Sequence, residues 1–343
     1  MEVSALYLYP IKSLRPAAVP SLTLTPTGPL HDRTFMLLRD HGDTPRDGGR
    51  YENMHVVYFP ALTLFTTSLS LPTSTSPGSI AVTHAPPDGE PSTLSIPLEP
   101  DTASLDQITV NMHSSPTPAY AMPPEFSAWF TARLSFPTIL AYLGPHRRRV
   151  LFGKSSAPEP KSWLSSLSSR SPFAAPPPKS ISDHKISFAD CAPLLLASAT
   201  SLADVSSRLT DGHGVDITKF RPNIVVAGAQ PWEEDFWASV QLTPADGAEP
   251  TVVSLERNCV RCASVNIDYA TGKPGEGAVG DVLKVLQRDR RVDPAKKWSP
   301  VFGRYGFLVD ANGDGWERVV SVGDRVEVKA RKAERDVWDW PGL

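Results

Sequence analysis

A mainly β protein with some helices is the fold class this sequence predicts, and three observations predict it. Short runs rich in β-branched or apolar residues recur, and Pro, Gly or Asp clusters separate most of them. Proline reaches 35 residues, about double ordinary usage, and it strips a ladder donor while fixing φ, which disfavours a helical bundle. Helical periodicity is confined to a few short windows. At 343 residues the chain divides into an N-terminal domain over 1–145, whose strands argue a small all-β barrel or sandwich, a linker over 146–180, a second domain over 181–335 and a tail over 336–343.

The elements follow in order. Val3–Tyr9 is aromatic-rich and almost wholly apolar, which predicts a strand buried on both faces and ended by Pro10. Leu22–Thr25, Arg33–Leu38, Ala61–Ser68, Ile80–Thr83, Leu94–Leu98 and Gln107–Val110 read as further strands, with Pro97 restricting Leu94–Leu98 to a sheet edge. Residues 71–91, rich in Pro, Ser, Thr and Gly, read as a mobile surface insertion. In Pro124–Leu134 the period changes, with Phe126, Trp129, Phe130 and Leu134 at helical spacing. Phe136–Leu143 is a buried strand, and 154–179 is linker. Ser201–Leu209 reads as a helix capped by Ser201. Strands are expected at Asn223–Ala227, Thr251–Leu255 and Cys259–Ile267, then a helix at Gly280–Arg288. A closing hairpin pairs Arg318–Val322 with Val326–Lys329 through Gly323-Asp324-Arg325.

Composition narrows the function. A net charge of −3 and a pI near 6.2 give no electrostatic case for nucleic acid. Three cysteines do not make a secreted disulfide scaffold, so a reducing compartment is expected. Met1–Pro10 lacks the basic start and apolar run of a signal peptide, and no apolar run approaches the ~20 residues of a spanning helix. A cytoplasmic address is expected, with docking on a membrane through a partner as the alternative.

Arg257–Gly272, RNCVRCASVNIDYATG, carries the chemistry. Cys259 and Cys262 form a C-x-x-C, but zinc wants about four ligands, and the remaining cysteine, Cys191, has no histidine cluster around it. A redox pair should open a helix inside a βαβ unit, whereas the following residues here alternate as a strand. If that strand already includes Cys259, an offset of three puts the two thiols on opposite faces. One cysteine acting alone is the better reading, as a nucleophile or as a soft ligand to a metal held mainly by its own cofactor. Free cysteines are most often buried structural thiols, and Cys259 is read that way. A pterin cofactor is anionic through its phosphate, so cations should surround it, and Lys12, Arg33, Arg221 and Arg261 are candidates.

Six motifs then occur in one order. They are Tyr9-Pro10-Ile11-Lys12-Ser13, Asp32-Arg33, Ser201-Leu202-Ala203-Asp204 with Ser207-Arg208-Leu209, and Phe220-Arg221-Pro222-Asn223. Cys259-Val260-Arg261-Cys262 with Asp268 and Thr271-Gly272 comes next, then Ser299-Pro300-Val301-Phe302-Gly303 with Tyr305. In this the chain resembles the MOSC superfamily, and most nearly its mitochondrial amidoxime-reducing component group, over almost its whole length. The resemblance implies a MOSC β-barrel domain preceded by an N-terminal MOSC β-barrel domain. It implies the molybdenum cofactor (Mo-molybdopterin), with Cys262 as the molybdenum ligand and catalytic residue. Lys12, Ser13, Arg33, Arg221, Arg261 and Tyr305 would contact the pterin or its phosphate, with Asn223 beside Arg221 in the same motif.

Asp190 matches an acidic position of the family's cofactor loop and would relay protons. Cys191 and Ala192 stand where the family has hydroxyl residues, so those cofactor contacts are lost or altered. The implied activity is reduction of N-hydroxylated compounds. The implied partners are a cytochrome b5-type electron donor and its NADH-dependent reductase, and no dinucleotide fingerprint or haem motif is present in the chain itself. Two other classes compete: a carrier of the cofactor without turnover, and a sulfur carrier through a Cys262 persulfide. The family also carries a pyridoxal phosphate association, but no pyridoxal-phosphate domain is present here, which counts against the sulfur carrier. The basic run His146-Arg147-Arg148-Arg149 reads as a solvated loop, or as a site that steers an acidic electron donor.

Overall fold

A computed structural model describes residues 1–43, 49–153, 181, 184–212, 214–309 and 316–340. Its organising element is a closed β-barrel of seven strands. Going round, the order is Ile224–Ala227, Leu194–Ser198, Val301–Leu308, Thr251–Val260, Trp237–Thr243, Arg325–Arg331 and Glu2–Leu8, which pairs back onto Ile224–Ala227. Only the Leu194–Ser198 and Ile224–Ala227 pair is parallel. Closure removes the free edges that an open sheet would expose. The barrel is filled by Val3, Leu6, Leu196, Val226, Trp237, Val240, Val253, Leu255 and Val326, all buried.

The first strand of the chain therefore completes a barrel whose other strands all come from the second half. Its burial alternates, with Val3, Leu6 and Leu8 inside and Glu2 and Ser4 outside, so the expected burial on both faces is not what forms. The rest of the N-terminal half packs around a second core that includes Phe35, Phe65, Ile80, Val82, Phe130 and Leu140. One sheet there runs Gln107–Met112, Ser115–Ala121, Thr138–Tyr142, Phe35–Asp40, Tyr51–Asn53. A second joins Phe65–Ser70, Ser79–His84 and Ser92–Pro97. The helix Pro124–Leu134 forms as its period predicts, and Pro97 does lie on an edge strand.

Several expectations are corrected. Part of 71–91 is the central strand Ser79–His84, whose Ile80 and Val82 are fully buried. Ala61–Ser68 begins as a 3-10 turn over Pro60–Leu64. The helix expected from Ser201 begins at Ala199, and Ser198 caps it by accepting from the Ser201 backbone N–H. The closing hairpin does not form: Arg318–Ser321 pairs with Ser21–Thr25, and Arg325–Arg331 pairs with Trp237–Thr243. The linker residues 154–180 lie outside the described residues.

Most relevant to the chemistry, Thr251–Leu255 and Cys259–Ile267 are not two strands. A single bulged strand spans Thr251–Val260, and Ala263–Asn266 is a 3-10 turn. Cys259 is thus on the strand and Cys262 is beyond its end, so the expected alternation past Cys262 fails.

Candidate anion-binding site

The chain turns sharply at the places where its cations gather. Ser13, Arg33 and Arg221 all have positive φ, at 71°, 51° and 55°, in the left-handed region that non-glycine residues seldom adopt. Arg221 ends the 3-10 turn Ile217–Phe220 just before the strand Ile224–Ala227. Arg33 follows Asp32 just before the strand Phe35–Asp40. Both guanidinium groups lie 4.5 Å from the centre of the Tyr9 ring, so one buried aromatic holds two like charges apart. Asp32 accepts from Tyr9 N–H at 2.9 Å and from Asn223 Nδ2 at 3.1 Å, and it also pairs with Arg33 Nη1. The N-terminal half is thereby tied to the barrel through Asn223.

These residues surround an open pocket of about 380 Å³, mouth included, lined by Arg33, Ala189, Asp190, Ala192, Leu195, Arg221, Asn223, Cys259, Arg261 and Tyr305. Arg221 gives Nη1 to the Leu14 carbonyl at 2.9 Å, and Arg261 gives Nε to the Phe302 carbonyl at 3.0 Å. The Nη2 of each is buried without a partner. Arg261 is accommodated by Gly303 at φ 83°, where a Cβ would stand 2.9 Å from the Leu196 carbonyl and 3.7 Å from Arg261 Nη2. Buried donors left without acceptors cost roughly 1–3 kcal/mol, more when charged. Such donors on two convergent arginines fit a missing anion.

The carboxylate at this site is already engaged. Asp190 accepts from Lys12 Nζ at 2.5 Å and lies 3.3 Å from His113 Nε2. Burial works to raise its pKa, but Lys12 and His113 outweigh that and hold the carboxyl well below its usual range. Arg148, buried, donates to the Ala189 carbonyl at 2.5 Å and fixes the neighbouring backbone. Lys12, Arg33, Arg148, Arg221 and Arg261 thus face two carboxylates, Asp32 and Asp190, and the excess is cationic.

The three cysteines separate. Cys191 and Cys259 are buried, and Cys259 Sγ donates to the Val260 carbonyl at 3.7 Å. Burial pushes both thiols up, so they stay protonated and are poor metal ligands. Burial, then the two thiols, also pushes Tyr305 well up. Cys262 is exposed, its Sγ 3.3 Å from Ser264 Oγ.

Of the residues expected at the site, Arg33, Asp190, Ala192, Arg221, Asn223, Arg261 and Tyr305 line the pocket. Lys12 reaches its edge through Asp190. Ser13 is turned away, its hydroxyl spent on the Met54 carbonyl at 2.8 Å, and Cys191 lies behind the wall. Cys259 lines the pocket, and Cys262, which follows Arg261 in the chain, is not among its lining residues. Tyr9, Asp32, His113 and Arg148 were not singled out. Tyr9 and Asp32 lay inside quoted motifs, while nothing in the sequence marks His113. The basic run 146–149 is not a free loop: Arg148 is buried and Arg147 is tied to the Gly144 and His146 carbonyls.

A closed seven-stranded barrel, completed by the chain's first strand and clasped to an N-terminal β domain over a cationic pocket, defines a MOSC-type protein. The profile of the MOSC domain matches residues 183–327, and that of the MOSC N-terminal β-barrel domain matches 1–137; the chain belongs to the MOSC superfamily. It is similar to mitochondrial amidoxime-reducing component 1 of Homo sapiens, 33% identical over 41% of this chain and 38% of that protein. It is also similar to molybdenum cofactor sulfurase of Aspergillus niger, 28% identical over 95% of this chain and 41% of that protein. The Neosartorya fischeri sulfurase is 26% identical over 89% of this chain and 37% of that protein. The chain spans about two fifths of the length of the curated relatives it matches. No helix among the described residues is long and apolar enough to cross a membrane.

Proposed function

We propose that this chain holds the molybdenum cofactor and reduces N-hydroxylated compounds such as amidoximes and hydroxylamines. The observation that carries the first half is the pair of buried, unpartnered Nη2 donors on Arg221 and Arg261, two residues that line one pocket. They would take the cofactor's phosphate and pterin oxygens, since a guanidinium fork matches such acceptors. Arg33 adds charge but is committed to Asp32, so its task is to hold the two halves together. Asp190, kept ionised by Lys12 and His113, orients Lys12 at the rim and offers a site for a proton only when one arrives from the reaction.

Cys262 supplies the soft thiolate: it is exposed, whereas Cys191 and Cys259 are buried and held as thiols. When bound, the cofactor supplies two-electron chemistry at molybdenum. Reduction of N–O to N–H consumes two electrons and two protons and releases water. The electrons are proposed to come from a cytochrome b5-type donor and its NADH-dependent reductase. Protein made in a cofactor-competent host should contain molybdenum and reduce benzamidoxime with a chemical electron donor. Cys262→Ala should lose both, and retention of both would remove the assignment.

A second reading rests on one observation: the similarity to the cofactor sulfurases runs over 95% of the chain, whereas that to the amidoxime-reducing component covers 41%. Under it, the exposed Cys262 carries sulfur as a persulfide. Cyanolysable sulfur on Cys262, without molybdenum and without benzamidoxime turnover, would favour that reading.

A further inference from the structure

Trp298 is 79% exposed, the most exposed of the large apolar side chains among the described residues. The others that are exposed, Leu30, Tyr58, Leu71, Val309, Val319, Val322 and Val337, lie on other segments, so Trp298 is a single aromatic anchor. Cations ring it. Lys284, Arg288, Arg291 and Lys297 are exposed, Lys296 is half-buried, and the Arg291 guanidinium lies 5.9 Å from the Trp298 ring centre.

The acidic residues of the same stretch are spent elsewhere. Asp281 lies 3.6 Å from Lys284, Asp289 pairs with Arg208 at 2.7 Å, and Asp293 is buried, accepting from the Ala295 and Trp338 backbone N–H groups. Arg288, Arg291, Lys296 and Lys297 make no ion pair among the described residues. A chain of net charge −3 therefore concentrates unpaired positive charge on the stretch that carries Trp298.

The patch is fastened to the segment that bears Cys262. Arg261 N–H donates to the Pro300 carbonyl at 2.8 Å, Val301 N–H to the Arg290 carbonyl at 2.8 Å, and Leu283 N–H to Asn266 Oδ1 at 2.8 Å. The helix Val282–Gln287 packs on the 3-10 turn Ala263–Asn266 that follows Cys262, and Gln287 Nε2 holds the Trp298 carbonyl at 3.3 Å.

We propose that this surface docks an acidic face of a partner protein, with Trp298 as the anchor and the surrounding cations as the steering rim. Tryptophan is over-represented among residues that dominate interface energy, and rim charges act mainly on encounter rate and salt dependence. A bilayer would need an extended apolar face, and the patch offers one ring. Resting on the function proposed above, the partner is the electron donor, brought against the segment that carries Cys262. In the run 146–149, Arg148 is buried, which leaves Arg147 and Arg149 as its exposed cations.

The test uses the full chain and the soluble haem domain of a cytochrome b5 as probe. Binding is measured by calorimetry at about 20 and about 200 mM salt. Wild type should bind at low salt and weaken at least about tenfold at the higher salt. Trp298→Ala and Arg291→Glu/Lys297→Glu should each weaken low-salt binding by about tenfold or more. Molybdenum content and chemically driven turnover should stay unchanged in both variants, which separates failure of this surface from failure of the cofactor assignment. Binding that ignores both variants, or no binding at low salt, overturns the proposal. So does binding only to vesicles containing about 30% phosphatidylserine, which would make the surface a membrane contact.

Discussion

Two clusters of buried arginine sit in this molecule, and they differ in how their charge is answered. Around Asp235, Arg290 gives Nη2 to both carboxylate oxygens at 2.8 and 2.7 Å, and Arg335 gives Nε to one of them at 2.7 Å. Arg304 nearby spends its terminal nitrogens on Asn258 Oδ1 and on the Asp235, Trp237 and Leu255 carbonyls. The inner Nε of Arg290 and of Arg304 is left without a partner, as is Asn258 Nδ2. Around the pocket the pattern differs. Arg221 and Arg261 use backbone carbonyls on one side and present a bare terminal Nη2 on the other. The first pattern is that of arginines closed by their own fold, and we propose that the second is closed by a bound anion.

That contrast can be broken from the structural side first. Asp235→Asn should destabilise the fold by about 3–5 kcal/mol, because it strips the charge partner from Arg290 and Arg335. Chemical denaturation measures it, and a loss below about 1 kcal/mol would show that this cluster is no more closed than the pocket.

The next effect is a pH dependence in the same region. Burial pushes Glu234 up to about 7 from 4.5, while Ser201 donates to it at 2.9 Å and partly opposes the shift. A carboxyl raised in the fold contributes stability that is fully present below pH 4.5 and is lost as pH rises through about 7. The total is about 3 kcal/mol. Glu234→Gln should lack this decline, so its stability relative to wild type should rise between pH 5 and pH 8. A pH-independent difference between the two would refute the assignment.

The smallest effect tests the wall of the pocket. Cys191 is 1% exposed and lies behind the lining residues, so Cys191→Ser should leave cofactor occupancy within about twofold of wild type. A larger change would bring the Cys191 loop into contact with the cofactor.

What could be read from the sequence depended on whether the signal was local. The helical spacing of Pro124–Leu134 is local, and that helix forms. The hairpin predicted at Gly323-Asp324-Arg325 had an equally local turn signal, but barrel closure assigned its two strands to different sheets. Leu194–Ser198 and Val301–Leu308 are buried almost throughout, so neither shows the alternation that marks a half-buried strand. Ser115–Ala121 was hidden by Pro116 and Pro118. Both face Gln107–Met112, while the pairing with Thr138–Tyr142 involves only Tyr120 and Ala121, so that stretch can do without two donors. At the site, the motifs supplied the cations. They did not supply the Tyr9 spacer, the Asp32–Asn223 tie or His113, which depend on residues far apart in sequence coming together.

The central claim is that Arg221 and Arg261 hold an anionic cofactor that the Asp235 cluster could not. It is tested most directly by pterin and molybdenum content per chain for wild type and Arg221→Gln/Arg261→Gln, both made in a cofactor-competent host. Losing charge-assisted bonds of about 1.5–3 kcal/mol each should cut affinity at least about tenfold, leaving the fold cooperative and the purified variant largely empty. Equal pterin and molybdenum in the two proteins would contradict the account.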